Sequence, residues 1–193
     1  MSNFESVILN LESSVPFPRS YWVVPGSLLA GYYPGDLDTS TMEKKLKGIL
    51  RAGIRYVINL MEEKEQNWDG KRFRSYEDDT MRFAEQAGVE ITLVRRPIED
   101  LSAPTHEYMR NILDEIDHAV SQNKPVYVHC WGGKGRTGTV VGCYLARHGY
   151  AQGEDVLDLI HELRQNDPEG YHPSPETRQQ RDMVTKWKEG GRQ

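Results

Sequence analysis

Cysteine is scarce in this chain: Cys130 and Cys143 are the only two in 193 residues, too few for a disulfide framework. No basic N-terminal segment runs into an apolar stretch, so a secretory signal is not expected. No apolar run approaches the about eighteen residues that a membrane span needs. Nor does a lysine-arginine stripe offset the formal net charge of −5, which makes nucleic acid an unsuitable partner, since such binding neutralises many phosphates at once. Internal repeats and low-complexity tracts are missing as well. What is present, 37% hydrophobic and 27% charged residues, is the balance of a soluble globular protein and excludes a disordered or fibrous chain. The expectation is a cytoplasmic monomer with one domain over 1–193, its core over 22–188. Prolines at 16 and 18 favour an extended lead-in over 1–20, and 189–193 is expected to be a flexible tail.

Apolar periodicity supplies the elements. YWVVPGSLLAGYYPG suggests short early strands, and Met42, Leu46, Ile49 and Leu50 fall at helical spacing within 40–52. IRYVINL (54–60), ITLVRR (91–96) and VYVH (126–129) are strand-like runs. Between them, a charged loop from 61 to 79 leads into a helix ending near Gly88, and Met109, Ile112, Leu113, Ile116, Ala119 and Val120 stripe a crossover helix over 104–123. TVVGCYLARHG is apolar nearly all round and predicts a buried helix ending at Gly149. Two more helices follow, one over 153–165 and one starting at Ser174 with Pro175 in its first turn. Strand and helix alternate, so the fold class is α/β: a mainly parallel central sheet of about four to five strands with helices on both faces. Ligands of such sheets bind beyond the carboxyl ends of the strands. The loops at 61–75, 96–104 and 130–136 all leave from that side and are expected to converge.

The stretch VYVHCWGGKGRTG places Cys130 where a strand gives way to a helix. Gly132, Gly133 and Gly135 permit a tight loop whose N–H groups point inward, an anion nest. The helix beginning near Arg136 adds the positive end of its dipole, and the guanidinium offers a fork for two oxygens of one phosphate. The same surroundings favour a thiolate and hence a nucleophile at Cys130. Thr137 has a hydroxyl to donate to the sulfur. Cys130 alone reads as a small buried hydrophobe, but glycines, arginine, hydroxyl and flanking elements coincide too closely for that reading. Cys143, well inside the apolar helix, reads as core, with a reversible disulfide to Cys130 as the alternative.

HCWGGKGRTG resembles the His-Cys-x5-Arg-Ser/Thr signature of the cysteine-based protein tyrosine phosphatase superfamily, in its compact dual-specificity branch. LLAGYYPG, GIRYVINL, RRPIEDLSAPT and SPETRQQRDMV are similar to segments of those enzymes in the same order, over about residues 22–188. The order is most similar to the kinase-associated phosphatase group and its bacterial relatives. The resemblance implies that phosphate is held by Trp131, Gly132, Gly133, Lys134, Gly135 and Arg136, with no metal and no cofactor.

A departing alkoxide or phenoxide needs a proton. The resemblance puts the general acid at Asp100, with Glu99, Asp78 and Asp79 as local competitors. His129 is assigned a structural role, its ring bonding nearby backbone and shaping the loop. Glu176, Gln180, Met183, Val184 and Trp187 share one stripe, so Gln180 faces inward and supports the loop or positions water. The tyrosine-specific relatives carry glutamine where this chain has Glu176, which argues against a strict phosphotyrosine enzyme. Lys134 also resembles the phosphoinositide phosphatases, although Trp131 stands where those tend to place a second lysine.

Three functions compete at this point. The first is a phosphatase of phosphotyrosine, with phosphoserine and phosphothreonine, acting through a phosphocysteine on a protein or a small phosphomonoester. The second is a phosphatase of inositol phosphates or phosphoinositides, and the third a silent phosphate-binding module. Rhodaneses and arsenate reductases also present a cysteine in an anion loop but lack this loop's length, hydroxyl and downstream helix. Arg95, Arg96 and the charged segment 61–79 border the expected pocket and are candidates for selectivity.

Overall fold

The computed structural model describes residues 15–188; the lead-in as far as residue 14 and the tail from 189 lie outside them. Five strands form one sheet: β1 (Ser20–Val24), β2 (Leu28–Gly31), β3 (Tyr56–Asn59), β4 (Thr92–Arg95) and β5 (Val126–His129), in the order β1-β2-β5-β3-β4. Only β1, at an edge, runs antiparallel. Six helices complete the described residues: α1 (Thr39–Arg51), α2 (Glu77–Gln86), α3 (His106–Ser121), α4 (Arg136–Arg147), α5 (Asp155–Leu163) and α6 (Arg178–Thr185). None is long and apolar enough to cross a membrane.

The topology explains why helices cover both faces. From β2 the chain steps to β3 and on to β4 in one direction across the sheet, then reverses to reach β5. Right-handed crossovers therefore put α1 and α2 on one face and α3 on the other. In keeping with this, α1 packs on α2, while α4 packs on α3, α5 and α6. β5 lies between β2 and β3, parallel to both, with His129 opposite Gly31 and Asn59. All four of its residues are buried, which a run of β-branched and aromatic side chains sustains.

The helices follow their apolar stripes. Asp38 caps α1 by accepting from the Thr41 N–H, and Met42, Leu46, Ile49 and Leu50 are buried. Thr105 caps α3, whose Ile112, Leu113 and Ile116 are fully buried, each contributing about 2 kcal/mol of transfer free energy. β3 and β4 are shorter than the runs 54–60 and 91–96, because pairing stops while Ile54, Leu60 and Ile91 continue into the core. The last helix starts later than expected, at Arg178 instead of Ser174. Thr177 accepts from the Gln180 N–H and the Gln180 side chain reaches back, a reciprocal capping box, whereas Pro175 lies in the preceding loop after a cis peptide bond.

Candidate active site

The three loops expected at the carboxyl edge meet there. A cavity of about 230 Å³ is lined by Cys130, Trp131, Gly132, Lys134, Gly135 and Arg136 from the loop after β5, by Asp100 and Leu101 after β4, and by Trp68 after β3. Arg19, Glu169 and Glu176 close the lining.

Four carbonyls around the loop after β5 accept hydrogen bonds. Tyr33 N–H donates to Trp131 O at 3.0 Å, Arg19 Nη2 to Gly132 O at 2.9 Å, Ser174 Oγ to Lys134 O at 2.8 Å, and Thr139 N–H to Gly135 O at 3.0 Å. Carbonyls held in this way suit an anion nest, in which the opposite ends of the peptide units are left for a bound anion. Gly133 makes the turn with φ +75°, and a Cβ there would lie 2.7 Å from the backbone of Gly31 and Tyr32, so the loop rests directly on the end of β2. Cys130 is 2% exposed and Cys143 fully buried, and neither is in a disulfide. Burial also pushes the Cys143 thiol well up, which keeps it protonated.

Arg136, at the first turn of α4, is 2% exposed and needs counter-charges. Glu65 supplies two parallel hydrogen bonds, from Nη1 at 2.6 Å and Nη2 at 2.8 Å, and Ile98 O accepts from Nη1 at 3.2 Å. Asp100 Oδ1 lies 2.9 Å from Nη2. Burial works against the charge of Arg136, but the Glu65 hydrogen bonds, with the charges of Cys130, Glu65 and Asp100, outweigh it and hold the pKa above its ordinary value. Nε of Arg136 is buried without a hydrogen-bond partner among the described residues and is a free donor beside the loop. Glu65 escaped the sequence reading: it lies within the charged segment, and the only pointer to it is that a buried arginine demands an acid.

Of the four candidate acids, Asp100 alone lines the cavity. Asp79, on α2, pairs with Arg82 of the same helix and with Arg74 of the loop before it, Asp78 is exposed on that helix, and Glu99 faces Ser102 Oγ. The Asp100 loop is tethered at its far side by Gln180, which is fully buried: its Nε2 donates to Ser102 O at 3.0 Å while its Oε1 accepts from Glu176 and Thr177 N–H, both at 3.1 Å. Glu176 itself faces Lys134, Nζ to Oε1 3.5 Å. Thr137 is buried, but its hydroxyl donates to Gly31 O at 3.4 Å; the sulfur was its expected partner. Arg95 and Arg96 line no part of this cavity, being engaged by Glu77 at 3.0 Å and Glu115 at 2.7 Å.

His129 is fully buried with both ring nitrogens used: Nδ1 lies 3.1 Å from Cys130 O and Nε2 2.7 Å from Tyr76 Oη. A carbonyl accepts only, so Nδ1 carries the proton and the tyrosine hydroxyl donates to Nε2. Burial pushes the His129 pKa down to about 3, and the nearby Arg95 and Arg136 charges push it the same way, which keeps the ring neutral. At the mouth, Trp131 packs against Trp68 and Phe73 with centroids 5.0 and 5.2 Å apart, leaving Trp68 85% exposed.

A buried thiol at the floor of such a loop, on a sheet of this strand order, defines a class: the cysteine-based phosphatases of the protein tyrosine phosphatase superfamily. Residues 35–150 match the family described as "Polymorphic toxin system, DSP-PTPase phosphatase", and the chain belongs to that family. Human dual specificity protein phosphatase 9 is 27% identical over 143 residues, 74% of this chain and 32% of that protein. An uncharacterized protein of Methanocaldococcus jannaschii is 49% identical over 53 residues, 28% of this chain and 33% of its own. The chain thus spans about a third of the length of these curated relatives. Among solved structures, Tk-PTP in its active form is 26% identical with a TM-score of 0.61, covering 87% of this chain and 95% of that one. Kinase associated phosphatase, solved with its catalytic-site cysteine changed to serine, has a TM-score of 0.61 at 18% identity, covering 90% and 94%, and shares the fold.

Proposed function

We propose that this phosphatase acts on phosphoproteins, hydrolysing phosphotyrosine and also phosphoserine and phosphothreonine through a phosphocysteine. The observation that carries this reading is the convergence of Cys130, Arg136 and Asp100 on one small cavity, with an aromatic pair at its mouth. The substrate dianion enters the loop, where inward N–H groups and the Arg136 Nε and Nη2 hold its three non-bridging oxygens. By taking Nη2, the phosphate displaces Asp100 from its 2.9 Å contact, and a proton-bearing Asp100 becomes available to the leaving oxygen. Cys130 Sγ attacks phosphorus, the bond to the leaving oxygen breaks, and that oxygen takes the proton of Asp100. In the second half Asp100 accepts a proton from water, whose oxygen attacks phosphorus; the P–S bond breaks, returning thiolate and inorganic phosphate.

Two features favour a peptide substrate over an inositol phosphate. Lys134, the residue that suggested the latter, is already engaged by Glu176, and the mouth is walled by indole rings suited to an aryl group. The silent-module reading is disfavoured because Cys130, Arg136 and Asp100 are all retained in the chain and line one cavity. Cys130→Ser is expected to abolish hydrolysis of p-nitrophenyl phosphate and of phosphotyrosine peptides while the variant still binds the peptide. Residual turnover near the wild-type rate would refute the assignment.

A further inference from the structure

Arg19 stands where glycine is favoured. Its φ of +66° lies in the left-handed region, which an arginine adopts only at a cost. The backbone there is pressed on β2: Tyr32 N–H donates to Arg19 O at 3.3 Å, and a Cβ on Gly31 would lie 2.7 Å from that oxygen. The guanidinium adds a second cost, since its Nε is buried without a hydrogen-bond partner among the described residues. Glycine or asparagine would serve the backbone without either cost, so the reason for arginine lies in what its side chain touches.

That side chain reaches the Cys130 loop. Nη2 donates to Gly132 O at 2.9 Å, the one hydrogen bond this carbonyl has among the described residues. Trp131 O and Gly135 O accept from backbone N–H groups, and Lys134 O from Gly138 N–H as well as from the Ser174 hydroxyl. Gly132 O alone of these four depends on a long side chain, 113 positions away. The peptide between Gly132 and Gly133 is also the only one in the loop with glycine on both sides, so its plane turns with little steric resistance. In a planar trans peptide the C=O and N–H point in opposite directions, and a partner that fixes Gly132 O thereby fixes the Gly133 N–H.

The guanidinium is itself braced. It lies 4.4 Å above the ring of Tyr32, whose hydroxyl accepts from Lys45 Nζ at 3.0 Å, and its Nη2 is 3.6 Å from Glu169 Oε2. Glu169 is set in turn by Arg164, 1% exposed, which donates from Nη2 to Glu169 O at 3.1 Å.

We propose that Arg19 is a positioning residue: by holding Gly132 O it aims the Gly133 N–H at a non-bridging oxygen of the bound phosphoryl group, with Tyr32 and Glu169 keeping the guanidinium in place. This rests on the reading of the Cys130 loop as the phosphate site. Because Arg19 acts through the loop, a substrate as small as p-nitrophenyl phosphate reports its effect.

The test compares wild type, R19G, R19K and the control K71A/R72A, whose two cations line the neighbouring cavity with Arg19 and make no hydrogen bond to the loop among the described residues. For R19G, kcat/KM on p-nitrophenyl phosphate is expected to fall about tenfold, in line with the loss of one charge-assisted hydrogen bond. R19K is expected to lie between R19G and wild type, since ammonium keeps the charge and loses the planar fork. The control removes positive field alone and is expected to stay within about twofold of wild type. The melting temperature of R19G is expected to remain close to wild type, because glycine relieves the backbone strain while the contacts are lost. Millimolar guanidinium ion is expected to restore part of the lost rate in R19G. In protein labelled with 15N-glycine, tungstate is expected to shift the Gly133 amide resonance of wild type and to shift it much less in R19G; a residue that only supports the fold would leave that response intact. R19G kinetics equal to wild type, an equal loss in K71A/R72A, or a Gly133 response that survives R19G would each overturn the proposal. Should R19G not fold, R19K decides by the same readings. Wild type that binds tungstate without hydrolysing p-nitrophenyl phosphate marks failure of the phosphatase reading, while the amide response still tests Arg19.

Discussion

Glu65 and Arg136, 71 positions apart, meet through two parallel hydrogen bonds of 2.6 and 2.8 Å in a setting where both side chains are almost wholly buried. Removing one partner of such a pair leaves an uncompensated charge and costs about 3 kcal/mol or more. Glu65→Ala is therefore expected to lower stability by that amount in urea unfolding. It is also expected to reduce kcat/KM for p-nitrophenyl phosphate more than tenfold, since the freed guanidinium no longer presents a fixed plane to phosphate. Glu65→Gln, keeping shape but not charge, is expected to fall between Glu65→Ala and wild type in both measurements.

Asp100 is half-exposed and pairs with Arg136, so its removal tests chemistry more than folding. Asp100→Asn is expected to lower kcat about a hundredfold for a phosphotyrosine peptide, whose leaving oxygen needs a proton. The loss is expected to be much smaller for p-nitrophenyl phosphate, whose leaving group departs readily. Equal losses on both substrates would remove Asp100 from the acid role.

Gly133 and Gly132 are adjacent yet are expected to respond differently to alanine. At Gly133 the positive φ and the 2.7 Å approach to backbone atoms of Gly31 and Tyr32 leave no room, so Gly133→Ala is expected to cost more than about 1 kcal/mol. At Gly132 the nearest atoms are the flexible Lys134 side chain at 3.6 Å, and Gly132→Ala is expected to melt close to wild type. Thermal unfolding of the two variants makes the comparison directly.

His129 predicts a pH dependence of stability. Its pKa is about 3 in the folded protein against 6.5 ordinarily, so between those values the unfolded chain binds more protons and acid favours unfolding. The stabilisation is complete above about pH 6.5 and is lost as pH falls towards 3, with a slope of up to about 1.4 kcal/mol per pH unit from this group alone. Unfolding free energies of wild type and His129→Gln, measured from pH 7 to 4, are expected to converge as pH falls. Parallel pH profiles would show that His129 does not carry the dependence.

Legibility in the sequence follows contact range. The strand VYVH, the glycine loop and the apolar helix after it are consecutive, so spacing alone locates Cys130 and Arg136 at one turn. Glu65 comes from a segment without periodicity, and nothing local distinguishes it from Glu62 or Glu63. α6 starts later than its sequence suggests because Ser174-Pro175 has the form of a cap and first turn, whereas Thr177 and Gln180 carry the competing capping-box spacing and satisfy more backbone donors. Thr137 shows a different limit: a hydroxyl's position follows from sequence, but its partner depends on where β2 ends, and Gly31 O is there to accept.

Trp68 gives the molecule an optical property. Of its four indoles, Trp22 and Trp187 are buried, while Trp131 and the largely exposed Trp68 pack against each other at the mouth of the cavity. Water around Trp68 shifts its emission to the red, and a bound aryl phosphate that displaces this water shifts it back towards the blue. Binding is thereby visible in intrinsic fluorescence without a label.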